Sequence, residues 1–292
     1  MISRRLRETA VAGPFLSVKG LVFGLFILVP FVYTFILTFQ RGSLLTGMRW
    51  GGLSNYRTVV TDTLFRDALK NTLLFMLVCT PVTLVVSAAV GLLLSSSLRG
   101  MAVHRALIYL PSLLSVVATG LIWKVLLDPE QGPLHLLMLR GFGLDVPWLT
   151  NGTVAIVLLA FITAWSTCGF YGLVFMAAFN GIDTELLEAA RIDGAGPWQV
   201  LVQIKLPLIQ PVAQVVLALL TINCVQVFDL VFVLTNGAPG TATYTAMWYV
   251  YQNAFNGGSV AYAATMSVML LILTALISAL FLARRTGADA DA

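Results

Sequence analysis

Two groups of residues in this 292-residue chain have types and spacings that can do chemistry. The first places Asp183, Glu185, Glu188 and Asp193, four carboxylates within eleven positions, around Ala189, Ala190 and Gly194, with Pro207 further on. Very apolar sequence flanks this group on both sides. Its carboxylates suit a partner's basic groups or backbone N–H donors. The second group lies inside apolar runs. Asn223, Gln226 and Asp229 recur every three residues, and Thr163, Thr167 and Tyr171 every four. Polar side chains are costly at membrane depth, so they mark either a solute path or hydrogen bonds between helices. On the first reading, hydroxyl, amide and carboxylate groups bind a neutral polyhydroxy solute, with Trp165 and Phe170 as stacking faces. On the second, the same groups tie neighbouring helices together.

Nothing else in the chain resembles a catalytic centre. His104 and His135 fall in different loops. Cys79, Cys168 and Cys224 sit inside apolar runs without a C-x-x-C pair, which reads as small buried hydrophobes. No G-x-x-x-x-G-K-[ST] phosphate loop occurs, and no Gly is followed by Lys. The chain is therefore expected to have no catalytic residue, no metal ligand and no cofactor of its own. A basic stripe interleaved with aromatics is absent, so the net charge of +4 does not point to nucleic acid.

The elements that position these groups must be membrane helices. Hydrophobic residues make up 59% of the chain and charged residues 10%, against about 25% charged in a soluble domain. Six apolar runs approach or exceed the span length of about 20 residues: 21–39, 72–94, 107–127, 154–179, 212–235 and 260–282. Their only charges are Lys124 and Asp229. None alternates apolar and polar as a barrel strand would. The first run is expected to be a retained helix, since no small-x-small cleavage site follows it. With the N-terminus inside, ten Lys and Arg fall on the cytoplasmic side and seven outside. The cluster Arg4, Arg5, Arg7 and the pair Arg284-Arg285, hard against span ends, favour that orientation. The expected organisation is a cytoplasmic segment 1–20, a first span 21–39, and an outer loop 40–71. A five-helix core 72–282 comes next, then a cytoplasmic tail 283–292.

Local signals refine the loops. Leu64, Phe65, Ala68 and Leu69, interleaved with Arg66, Asp67 and Lys70, predict an interfacial amphipathic helix in the outer loop. Segments 128–152 and 236–259 read as loops. In the acidic loop 181–210, Asp183 is placed to cap a helix and Glu185 to meet its positive end. Leu186, Ala189 and Ala190 make a small apolar strip. Gly194 is placed as a left-handed stop, and Pro197 begins a second helix. The result is an elbow.

The string Glu188-Ala189-Ala190, three residues, Gly194, nine residues, Ile204-x-Leu206-Pro207 resembles the signature cytoplasmic loop of ABC importer permeases, at every motif position. Asn55-Tyr56, Phe65 and Asn71-Thr72 resemble the start of the core in the carbohydrate-type branch. So do Phe228-Asp229-Leu230, the stretch Leu234 to Gly240, Tyr249 to Phe255 and Tyr262-Ala263-Ala264. The resemblance implies an all-α, six-helix, type I importer permease. It implies a second homologous permease subunit, two ABC ATPase subunits that bind ATP and Mg, and an extracytoplasmic solute-binding protein. It implies that Glu188, Ala189, Ala190, Asp193, Gly194 and Pro207 couple to the ATPase. It also implies that the fourth and fifth helices line the path. No Lys or Arg lies mid-span while an Asp does, which favours a neutral oligosaccharide over glycerol phosphate or another polyol derivative. A secondary transporter or membrane enzyme is the reading from a different class. The former has no need of an ATPase dock, and the latter lacks a catalytic cluster.

Overall fold

The computed structural model describes residues 18–43, 47–96 and 100–288, with side chains up to 279. The basic residues Arg4, Arg5, Arg7 and Arg99 lie outside the described residues, as do the side chains of Arg284 and Arg285. In chain order the elements are α1 (Val18–Leu37), β1 (Gln40–Ser43), β2 (Gly47–Trp50), α2 (Ser54–Thr61), α3 (Thr63–Leu94), α4 (Met101–Leu113), α5 (Val116–Leu126), α6 (Pro133–Phe142), α7 (Gly152–Asn180), α8 (Thr184–Ile192), α9 (Pro197–Leu208), α10 (Gln210–Val225), α11 (Asp229–Leu234), α12 (Ala246–Tyr251) and α13 (Val260–Ala288). Four helices are long and apolar enough to cross a membrane alone, and the total reaches six if each of two bent pairs is one span.

The chain divides into two compact units. One comprises Met1–Asp62 with Val250–Leu271. Here α1 keeps its apolar side chains outward, with only 6% of its window buried, as suits a helix facing lipid. The sequence reading expected helices only. The structure adds an antiparallel hairpin, with Arg41 opposite Arg49 and Ser43 opposite Gly47. Asn55 fixes its base, donating from Nδ2 to the carbonyls of Thr38 (3.0 Å) and Gln40 (2.7 Å). Tyr56 OH donates to the Thr38 hydroxyl at 2.9 Å.

The other unit, Thr63–Tyr249 with Ile272–Ala292, carries both candidate functional groups. Its centre is α3 against α7. These helices approach through small residues, as membrane helices do. A Cβ on Gly91 would lie 2.8 Å from the Met176 nitrogen and 2.9 Å from the Gly172 carbonyl. Phe75, Cys79, Ile156, Leu159 and Ile162 fill the core between them. The amphipathic stretch 64–70 is not a separate interfacial helix. It forms the opening turns of the 32-residue α3, because Phe65 and Ala68 are fully buried and hold it in register with the span.

Two expected spans are broken. The run 107–127 folds as α4 and α5 at 92°. Ser115 starts the second piece by accepting from Ala118 N at 3.2 Å. The run 212–235 stops at Gln226 and resumes at Asp229. The carbonyl of Val227, freed by that break, accepts from the Thr245 hydroxyl at 2.9 Å. Two expected loops contain helices, α6 and α12. Pro133 opens α6, and Gly143 closes it with φ +66°.

Candidate functional site

The elbow is built from short-range signals. Asp183 Oδ1 accepts from Glu185 N at 3.0 Å, a cap that stabilises α8 by about 1 kcal/mol. The helix ends in a left-handed turn at Gly194, φ +85°, with Ala195 N donating to Ala190 O at 3.0 Å. Gln199 Oε1 then accepts from Gly196 N at 2.8 Å, and Pro197 opens α9. α9 contains a wide turn over Val200–Lys205 just before Pro207, which has no N–H to donate. Beyond it the chain bends by 64° into α10.

Leu187, Ile182 and Ile209 pack with Phe175 and Phe179 at the foot of α7. That face anchors the elbow, and the opposite face is bare. Glu185, Glu188, Ala189, Asp193, Gly194 and Pro207 are exposed and Ala190 is half-buried. Among the described residues the Glu188 side chain makes no ion pair or hydrogen bond. Beside it Ile192 is 86% exposed and Trp198 73%. The sequence reading missed these two. Ile192, next to Asp193 and one turn from Glu188, is an exposed apolar side chain of the kind that partner surfaces use. The signal was present in the phase of Ile192, which falls off the strip formed by Leu186, Ala189 and Ala190.

Gly194→Val is expected to destabilise the elbow while leaving membrane insertion intact. An added Cβ meets nothing within 4 Å, so the cost is backbone conformation alone, about 1–3 kcal/mol. Limited proteolysis of the elbow in Gly194→Val, against Gly194→Asn, measures it. Asn tolerates the left-handed region and should be close to normal.

The polar stripes meet at one point. Asn223 Nδ2, exposed near the end of α10, donates to the phenol oxygen of Tyr171 on α7 at 3.2 Å. Tyr171 is itself only 5% exposed. Thr163 and Thr167 are half-buried. Their hydroxyls donate to the carbonyls four residues back, Leu159 at 2.9 Å and Thr163 at 2.7 Å. Each hydroxyl oxygen thus keeps lone pairs for an incoming donor. The expected single face of Asn223, Gln226 and Asp229 is corrected. α10 ends at Gln226, so Asp229 belongs to α11, where it supplies the carboxylate of the first turn. Asn223, Gln226 and Asp229 are all exposed. Trp165 packs edge-on against Trp123, with ring centroids 5.7 Å apart, and is 41% exposed. Phe170 meets Tyr171 edge-on at 5.2 Å.

A second group, not anticipated as a device, shapes the break beside Gln226. Asn71 Nδ2 donates to the carbonyls of both Ala242 (3.0 Å) and Tyr244 (3.0 Å). Thr72 accepts from Ala246 N at 2.9 Å. Thr243 bonds Thr235 at 2.9 Å and Ala238 O at 2.8 Å. The uncharged, Gly- and Thr-rich segment is thereby a rigid cap. Between α5 and α6, the backbone N–H groups of Gln131 and Glu130 hold the Asp128 carboxyl below the usual carboxylate range. Among the described residues no three His, Cys, Asp or Glu side chains converge to hold a metal ion.

Residues 84–287 match the family described as the binding-protein-dependent transport system inner membrane component. The chain belongs to that family. This permease is 31% identical to the diacetylchitobiose uptake system permease protein NgcF of Streptomyces coelicolor, across 93% of this chain and 81% of that one. It is 31% identical to the arabinooligosaccharides transport system permease protein AraP of Bacillus subtilis, across 94% and 89%. Its fold superposes with a TM-score of 0.83 on a chain of a bacterial ABC transporter that imports the acidic polysaccharide alginate. That match has 22% identity and covers 97% of this permease and 98% of the other chain. The predominantly helical membrane permease fold and the membrane setting follow from these matches.

Proposed function

We propose that this permease is one transmembrane subunit of an ATP-driven importer moving a neutral oligosaccharide across the cytoplasmic membrane, N- and C-termini inside. The observation that carries the reading is the bare elbow, whose second arm, α9, runs through a 64° bend into the helix bearing Asn223. A force applied at Glu188 and Ile192 reaches the polar groups at Asn223 and Gln226 through packed helices alone. ATP and its Mg are bound by two ATPase subunits gripping the elbows of this chain and a homologous permease. A solute-binding protein delivers the sugar from outside. Relatives of this length named for diacetylchitobiose and arabinooligosaccharides support the substrate class. The charge beside Gln226 is the exposed Asp229, which disfavours a phosphorylated or carboxylated solute.

In this reading Thr163, Thr167, Tyr171, Asn223, Gln226 and Asp229 line the path. The Asn223–Tyr171 bond presents the amide oxygen of Asn223 and the phenol to the sugar. Gln226→Leu and Thr167→Val should lower uptake per assembled complex about fivefold each, the worth of one hydrogen bond of about 1 kcal/mol. Assembly should stay normal. Uptake and subunit stoichiometry measured on one preparation decide it. Poorer assembly with normal uptake per complex would mean that these groups only pack helices.

A further inference from the structure

The exposed Trp198 also borders a cavity. Between the end of α3 and the start of α9 lies a cavity of about 710 Å³. Its walls are Leu92, Pro197, Trp198 and Leu201, and its charged groups are Arg191 and Lys205. Among the described residues no carboxylate lines it. Among the described residues neither cation has an ion pair or a side-chain hydrogen bond. A third cation concentrates charge at the same helix end, where Arg105 Nη2 donates to the Leu94 carbonyl at 2.9 Å.

The depth of the cavity is set by α3. The apolar run from Thr72 to Leu92 advances about 30 Å at 1.5 Å per residue, the thickness of the hydrocarbon layer. Leu92 therefore stands at its edge, and Arg191, Trp198 and Lys205 stand at the level of the lipid headgroups. Trp is enriched at that level. Apolar walls and unpaired cations at that level are complementary to one occupant. We propose that this cavity holds the headgroup phosphate of an anionic phospholipid, with Arg191 and Lys205 on the phosphate and Trp198 over the glycerol region. A bound lipid would brace α9 against α3, and so the elbow against the membrane it levers upon. The lipid site stands independently of which solute is carried.

The test is lipid retention by the full-length permease in its assembled complex, in nanodiscs of phosphatidylglycerol and phosphatidylcholine, read by native mass spectrometry after delipidation. Wild type should keep phosphatidylglycerol in preference to phosphatidylcholine. At about 1 kcal/mol for each basic group near the surface, Arg191→Gln or Lys205→Gln should lower retention about fivefold and the double variant about thirtyfold. Lys205→Arg should retain the lipid, and all variants should elute as intact complexes. Bromine-labelled phosphatidylglycerol should quench the fluorescence that Trp198→Phe removes, and bromine-labelled phosphatidylcholine should not. Equal retention of both lipids by wild type, or undiminished phosphatidylglycerol in the double variant, would overturn the proposal. So would displacement of the lipid by millimolar inorganic phosphate, which would make the site one for a free anion. Loss of all retention in the ATPase-bound complex, with retention in its absence, would make the cavity part of the protein dock and equally overturn it.

Discussion

Glu188→Lys is expected to reduce sugar uptake by at least about a hundredfold at normal membrane abundance, since like charges set together at an interface cost several kcal/mol. Glu188 stands on the exposed face of α8 without an intramolecular partner. Its removal therefore leaves no buried group orphaned within this chain, and insertion and folding should be unaffected. In the proposed assembly the loss belongs to the interface with the ATPase. Uptake normalised to immunodetected permease in membranes is the measurement. Glu188→Gln should fall between wild type and Lys, since it removes the attraction without adding repulsion. Full uptake by Glu188→Lys would remove this carboxylate from the coupling contact.

The second large effect is expected at the contact of α3 and α7. Gly91→Val should abolish a stable, monodisperse permease or lower its apparent Tm by about 5 °C or more, given overpacking costs of about 1–3 kcal/mol. A Cβ at position 91 would sit 2.5 Å from the Phe175 Cβ and 2.8 Å from a backbone nitrogen. Backbone cannot rotate away as a side-chain end can. The helices must separate, and α7 carries Tyr171 and the foot of the elbow. Thermal unfolding of the detergent-solubilised chain, monitored by dye labelling of the buried cysteines Cys79 and Cys224, reports the separation. Gly194→Asn, a surface change that the left-handed backbone tolerates, should leave that transition near wild type. Equal melting of Gly91→Val and wild type would show that α7 does not depend on this close approach.

The elbow was legible in the sequence because each of its parts is a local signal. Asp183 caps α8 through an amide only two residues on, Gly194 supplies a left-handed turn, and Pro197 starts a helix. None needs a distant partner. The helix breaks were not legible, because hydropathy averages across them. Leu114-Ser115 and Gln226-Val227-Phe228 lie inside runs that stay apolar, and the second break is stabilised by the Thr245 hydroxyl, eighteen residues on in the chain. The pairing of 40–43 with 47–50 escaped for a different reason. Its strands carry Arg41, Gly42 and Arg49 rather than alternating apolar residues, and the amide of Asn55 secures its first strand. The polar stripes were visible as periodicity. Their meeting at Tyr171 and Asn223 was not, since the spacing within each helix says nothing of its rotation against the other. The role of Asn71 in clamping residues 242–244 joins positions about 170 apart, beyond the reach of any local pattern.

Uptake of a labelled neutral oligosaccharide into membrane vesicles, with the proton gradient collapsed and ATP trapped inside, tests the central claim most directly. The vesicles must carry this permease with its partner subunits and binding protein. Uptake should require trapped ATP, continue without the gradient, and vanish with Glu188→Lys. Uptake that collapses with the gradient and ignores ATP would contradict the account.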